Sequence, residues 1–247
     1  NEGITYTDIY YVFAGSNIEY VYLPDTMKAI HTLLFDACSA LKEIRLPQNL
    51  ETIETCAFRN CTSLTNVTLP ETVTVIESDA FAGCTLLKEI NIPSKLKAIP
   101  DRMLCDTAID AINIHDGVES IGSGAFSRCK NLTEIEIPQS VTSLGSGAFA
   151  DCENLSKITL SDHIKRLDGS VFENCSKIKS ITLPSELEFI GTYAFSNCTG
   201  LTSITIPDKV KTIDERAFSG CSEITNVIIG DGVETIGEYA FSSAPIT

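Results

Sequence analysis

Gln139-Ser-Val141-Thr-Ser-Leu144-Gly-Ser-Gly-Ala148-Phe149-Ala-Asp-Cys152-Glu-Asn-Leu155-Ser-Lys-Ile158-Thr-Leu160-Ser161 returns immediately as Ile164, Leu167, Val171-Phe172, Cys175, Ile178, Ile181, Leu183 and Pro184. Full blocks of this length begin at Asp25, Gln48 and Glu71, then at Asp116, Gln139, Asp162, Ser185 and Asp208. A shorter block, Ser94 to His115, lacks one residue between Leu104 and Ile109. A fixed period of about 23 residues means a solenoid, in which each coil buries its apolar face against its neighbours. Residues 1–247 read as one domain of about eleven coils of 22–23 residues, the first and last incomplete, because no linker or low-complexity stretch breaks the register.

Each coil carries one strand. In Leu132-Thr-Glu134-Ile135-Glu136-Ile137-Pro138 the β-branched residues alternate with carboxylates, the period-two pattern of a half-buried strand. Proline then stops it at Pro24, Pro47, Pro70, Pro93, Pro138, Pro184 and Pro207, having no N–H to offer the next coil. An apolar pair spaced by three (Val118/Ile121, Val210/Ile213) and the Ala-Phe pair must bring the chain back. No segment has the length and periodicity of a helix, so the returns hold short strands or 3₁₀ turns. Stacked coils place the strands in parallel, about 4.8 Å apart. The expected architecture is therefore a mainly β repeat solenoid of the leucine-rich-repeat type, a right-handed superhelix with a parallel β-sheet on the concave face.

The repeat L-x-x-I-x-I-P-x-x-V-x-x-I-G-x-x-A-F-x-x-C, clear in Leu201-Thr-Ser-Ile204-Thr-Ile206-Pro207 and Val233-Glu-Thr-Ile236-Gly237-Glu-Tyr-Ala240-Phe241, resembles the BspA-like, or Treponema-type, leucine-rich repeat over residues 18–247. That resemblance implies a secreted or cell-surface microbial protein. It also implies a non-enzymatic, adhesin-type module whose partner is a protein, such as a host extracellular-matrix or surface protein. A signal peptide, wall-anchor motif and capping domain are not visible in the sequence, which reads as an excised ectodomain.

Composition narrows the partners. A net charge of −15 argues against nucleic acid and anionic membranes, and no apolar run approaches a membrane span, so membrane insertion is not expected. The charge serves solubility or steering toward a basic partner. A monomer is expected. Eight of the ten cysteines (Cys38, Cys61, Cys84, Cys129, Cys152, Cys175, Cys198, Cys221) follow the Phe position by three and should form a buried ladder of reduced thiols. Cys56 and Cys105 lie off it and are expected to be more exposed and more reactive.

No site for chemistry emerges. His31, His115 and His163 are scattered, and no nucleophile-elbow, zincin, phosphate-loop or dinucleotide signature occurs. Asp101, Asp106, Asp110 and Asp116 gather around the short block without the order of a calcium loop. No cofactor or metal is expected. What remains is the outward strand face, where Tyr20, Tyr22, Glu43, Arg45, Asn66, Glu89, Asn91, Glu134 and Glu136 are the candidate partner-binding residues. Tyr10, Tyr11 and Tyr20 could equally cover the open end of the first coil.

Overall fold

A computed structural model describes residues 11–245; Tyr10 lies outside them. Ile135 is buried between exposed Glu134 and Glu136, as its alternation requires. The strand Glu134–Glu136 lies parallel to Lys157–Thr159 with Glu134 opposite Lys157, an offset of one repeat. Equal positions in successive coils are thus lateral neighbours, and 23 residues of sequence become one strand spacing.

Pairing on this outward face comes in twos rather than as one sheet. Tyr20–Tyr22 pairs with Glu43–Arg45, Asn66–Val67 with Glu89–Ile90, Glu134–Glu136 with Lys157–Thr159, and Ser203–Ile206 with Asn226–Ile229. The segments 111–113 and 180–182 form no strand at all. The more continuous sheet is on the return. There the two-residue strands Ala29–Ile30, Thr52–Ile53 and Val75–Ile76 make one ribbon, and seven more from Ala98–Ile99 to Thr235–Ile236 make a second. The parallel strands expected on the outward face are present, divided into separate pairs. Of the two alternatives for the return, short strands form, and no 3₁₀ turn occurs among the described residues.

A third ladder runs through the turn around each Phe. The residues two before and two after it adopt left-handed backbone, as at Cys56 and Asn60 around Phe58 or Ser170 and Asn174 around Phe172. This conformation costs a non-glycine residue about 1 kcal/mol, yet most of these positions are not glycine. Its return is directional: alternate N–H groups of the turn point along the stack. Cys56, Phe58 and Asn60 donate to Ser78, Ala80 and Ala82 of the next coil at 3.0, 2.8 and 2.8 Å. At one position where glycine does stand, an added side chain would force a neighbouring one aside. A Cβ on Gly220 would fall 2.2 Å from Asn197 Oδ1.

Inside, the repeated Phe rings stack. Phe126, Phe149, Phe172, Phe195, Phe218 and Phe241 succeed one another with centroids 5.0–5.6 Å apart, and Phe13, Phe35, Phe58 and Phe81 form a second column at 5.1–5.3 Å. Beside them runs the thiol ladder. Cys152 Sγ donates to the Phe126 carbonyl and Cys175 Sγ to that of Phe149, both at 3.1 Å. Each thiol thereby supplies a second hydrogen bond to a carbonyl that the backbone N–H of the coil's own Cys already meets. Burial raises the Cys129 and Cys221 thiols to about 12 and the Cys152, Cys175 and Cys198 thiols well above their ordinary value. One hydrophobic core runs from Val21 to Ala240.

Candidate functional site

The nine side chains singled out by the sequence fall into two groups on the outward face. Tyr20, Tyr22, Glu43 and Arg45 sit on the first pair of strands, with Tyr20 beside Glu43 and Tyr22 beside Arg45. The tyrosines are 54% and 66% exposed. Arg45 leans to Asp25 at 3.4 Å, and Lys42 approaches the Tyr20 ring at 6.0 Å while bonded to Glu19 at 2.8 Å. Pairing lapses after this sheet, so these four make a patch of their own.

Asn66, Glu89, Asn91, Glu134 and Glu136 form the second group, around an open depression of about 740 Å³ centred on Ala111. Its floor is the half-buried Ile90 and Ile112 with the buried Ile135, and its rim includes Thr68, Asn113, Lys157 and Thr159. The depression follows from the short coil. Where flanking coils carry Glu89 and Glu134, this one carries the methyl of Ala111. No backbone hydrogen bond joins residues 110–114 to either neighbouring coil. Residues 180–182 are likewise unpaired, and no departure in the repeat accounts for them. Lys157 is the one cation on the rim, and it reaches Glu134 at 3.3 Å. Ala111 and Asn113 escape a motif search; the visible signals were the missing residue before Ile109 and a small side chain where long ones recur.

Asn91 differs from its companions. Its Oδ1 accepts from the Leu69 N–H at 2.7 Å and its Nδ2 donates to the Leu69 carbonyl at 2.9 Å. The amide thus extends the two-residue strand pair Asn66–Val67/Glu89–Ile90 by one clamp, which commits its polar atoms to the fold.

The other flagged groups have structural partners. His115 Nε2 lies 2.9 Å from the Pro93 carbonyl and its Nδ1 accepts from the Gly117 N–H at 2.9 Å, so this ring ties the short coil to its neighbour. His31 lies 3.1 Å from Glu54; burial works to raise that carboxyl, but bonds from Thr32 and His31 bring it below its usual range. Asp101 accepts from the Ser123 N–H at 2.7 Å. Among the described residues no three His, Cys, Asp or Glu side chains converge on a metal position, and no helix is long and apolar enough to cross a membrane. Cys56 and Cys105 are more exposed than the ladder thiols, all of which are fully buried, but neither stands open to solvent. Cys56 is 7% exposed, Cys105 is half-buried, and desolvation raises both thiols away from the reactive thiolate.

With this geometry in view, the sequence matches the family profile of the BspA type leucine rich repeat region in six copies over residues 9–133 and 119–247. Similar folds occur in crystal structures of bacterial proteins. A leucine rich cell surface protein from Faecalibacterium prausnitzii is 30% identical, with TM-score 0.62, over 86% of this chain and 60% of that one. A leucine-rich repeat protein from Bacteroides ovatus is 24% identical, with TM-score 0.53, over 95% and 79%. The pneumococcal vaccine antigen PcpA is 20% identical, with TM-score 0.60, over 92% and 66%; these last two likenesses concern the fold alone. The chain therefore spans about three fifths of the length of the Faecalibacterium protein. No curated protein sequence matches it.

Proposed function

From the premise that this chain belongs to the BspA-type leucine-rich repeat family, we propose that it is a non-enzymatic, extracellular protein-interaction module of the adhesin type, engaging a protein partner through its outward strand face. One contrast carries the reading. The Phe and Cys positions repeat coil after coil, while the outward strand positions run from Tyr20/Tyr22 through Glu89 to Glu134/Glu136 without a fixed identity. A rigid core that displays freely exchanged side chains is the arrangement by which solenoids bind. The similarity to a bacterial cell surface protein supports the location.

The test is surface plasmon resonance of the immobilised chain against purified extracellular-matrix and cell-surface proteins, comparing it with a variant reversed at Glu43, Arg45, Glu89 and Glu134. Saturable binding at micromolar concentration that the variant loses is the expected result. Binding to nothing in the panel, or binding indifferent to the reversals, would make the chain a passive spacer that displays other parts of a surface protein.

A further inference from the structure

We infer that the depression over Ala111 receives an extended, basic segment of the partner protein, with Lys or Arg side chains lying along the isoleucine floor and their charged ends on Glu89, Glu134 and Glu136. The inference rests on the interaction-module reading and specifies the chemistry of what it binds.

Three independent features converge on this occupant. The first is shape. The depression spans the outward positions of five successive coils, from Asn66 to Thr159, which at about 4.8 Å per coil is roughly 20 Å. That length suits an extended chain of about six residues, at about 3.3 Å each, and its opening to solvent suits a segment laid across the surface. The second is charge. Three carboxylates face one cation on the rim, and Lys157 already engages Glu134. Elsewhere on the molecule about half of the acids are matched by a nearby base, as in Lys130–Glu153 at 2.8 Å and Lys209–Glu186 at 2.6 Å. Glu89 and Glu136 have no such partner within 4 Å among the described residues. A net charge of −15 adds long-range attraction for a basic chain. The third is the floor. Ile90 and Ile112 are half-buried, apolar surface on which the methylene stems of Lys and Arg pack while their charged heads stay wet. The unpaired backbone of residues 110–114, together with the amides of Asn66 and Asn113, supplies donors and acceptors for the main chain of the segment.

An acidic ligand is excluded by the carboxylates. A flat aromatic or sugar ring finds no aromatic side chain in the lining to stack on.

The experiment is isothermal titration with a synthetic peptide of alternating Lys and Ser, and with its alternating Glu–Ser counterpart. Three variants are compared. The first is Glu89→Gln/Glu134→Gln/Glu136→Gln on the rim. The second is Ala111→Arg in the depression. The third is Glu119→Gln/Glu153→Gln/Glu188→Gln, which removes the same charge from exposed positions off the depression. The basic peptide should bind, the rim triple should weaken it about tenfold, Ala111→Arg should abolish it, and the off-site triple should leave it unchanged. Every substituted residue is exposed, and an unshifted thermal melt verifies each fold.

Equal weakening by both triples would mean diffuse charge without a site and would overturn the inference. So would equal binding of the acidic peptide, or no binding of the basic one. If the basic peptide fails while Ala111→Arg still abolishes capture of a protein partner, the basic-segment inference falls and the interaction-module reading stands.

Discussion

The coil from Ser94 to His115 and the coil from Gln139 to Ser161 occupy equivalent places in one stack, yet they differ at three ladders at once. Where the regular coil places Phe149, the short one places Leu104. Where the regular coil places Cys152, the short one places Thr107. Where the regular coil presents Lys157 outward, the short one presents Ala111. The return strand is kept on one side only: Ala98–Ile99 pairs with Ser120–Ile121 just as Ser143–Leu144 pairs with Arg166–Leu167, but it does not pair with Val75–Ile76 of the preceding coil. What runs unbroken through the short coil is the turn ladder, in which Phe81 N–H donates to the Met103 carbonyl at 3.1 Å and Leu104 N–H to that of Ala125 at 2.9 Å, and it keeps the stack in register while the other ladders are interrupted. The interruption lowers the outward face at one point and leaves an opening there.

The difference predicts unequal costs of truncation. Phe149 stacks on Phe126 at 5.3 Å and on Phe172 at 5.6 Å, whereas Leu104 stands between the two columns without a ring-ring contact. Phe149→Ala should cost about 4 kcal/mol and Leu104→Ala about 3 kcal/mol, measured by urea denaturation. Equal losses would mean that ring stacking adds nothing to simple burial.

The thiol ladder sharpens the same comparison through pH. A buried thiol held to about 12, as at Cys129, stays protonated while its unfolded counterpart ionises near 8.5. The folded pKa is the higher one, so the contribution is complete below about 8.5 and is lost as pH climbs toward 12. Each such thiol should remove about 1.4 kcal/mol of stability per pH unit across that window. Thr107→Cys would extend the ladder through the short coil and steepen the fall by one proton, while Cys152→Ala would flatten it by one. Denaturant midpoints between pH 8 and 11 measure the slope, and no change in either variant would sink the account.

How far the sequence reaches follows from which physical feature sets each element. The period, the Phe columns and the thiol ladder are side-chain patterns, and they were readable from residues such as Phe126, Cys129, Phe149 and Cys152. The turn was not. Left-handed backbone is signalled by glycine, and at Cys56, Tyr193 or Arg216 the neighbouring coil enforces it on a side chain that advertises nothing. Pairing in twos was equally hidden, because β-branched alternation is the same in Glu134–Glu136, which pairs, and in residues 180–182, which do not. At the site, the sequence located the face and most of the depression's charged rim. It could not tell that Asn91, which lines the depression, spends its amide on the Leu69 backbone, because an amide that bonds to backbone and one that awaits a ligand share the same position in the repeat. At Cys56 the order was legible and the degree was not: the thiol is more exposed than those of the ladder, yet only 7% so, because polarity of a neighbour in the stack does not set burial.

Cys175 and Asn91 separate two ways in which a side chain completes the backbone's hydrogen bonds, and the smallest expected effects lie there. Cys175→Ser keeps a donor toward the Phe149 carbonyl, whereas Cys175→Val removes it inside a fully buried ladder. The valine variant should be less stable than the serine variant by about 1 kcal/mol, unless its added apolar volume offsets the lost bond. Asn91→Ala abandons the Leu69 N–H and carbonyl at the margin of the sheet, where water can replace the amide, so its cost should be smaller, about 0.5 kcal/mol. The contrast tests whether polar side chains matter most inside the ladders or at the interrupted face. If Asn91→Ala proves the more damaging, as read by denaturant midpoints, the outward face near Ala111 is held by its amide clamp more than by the core beneath it. The depression would then depend on a single side chain, and binding by Asn91→Ala should fall together with stability.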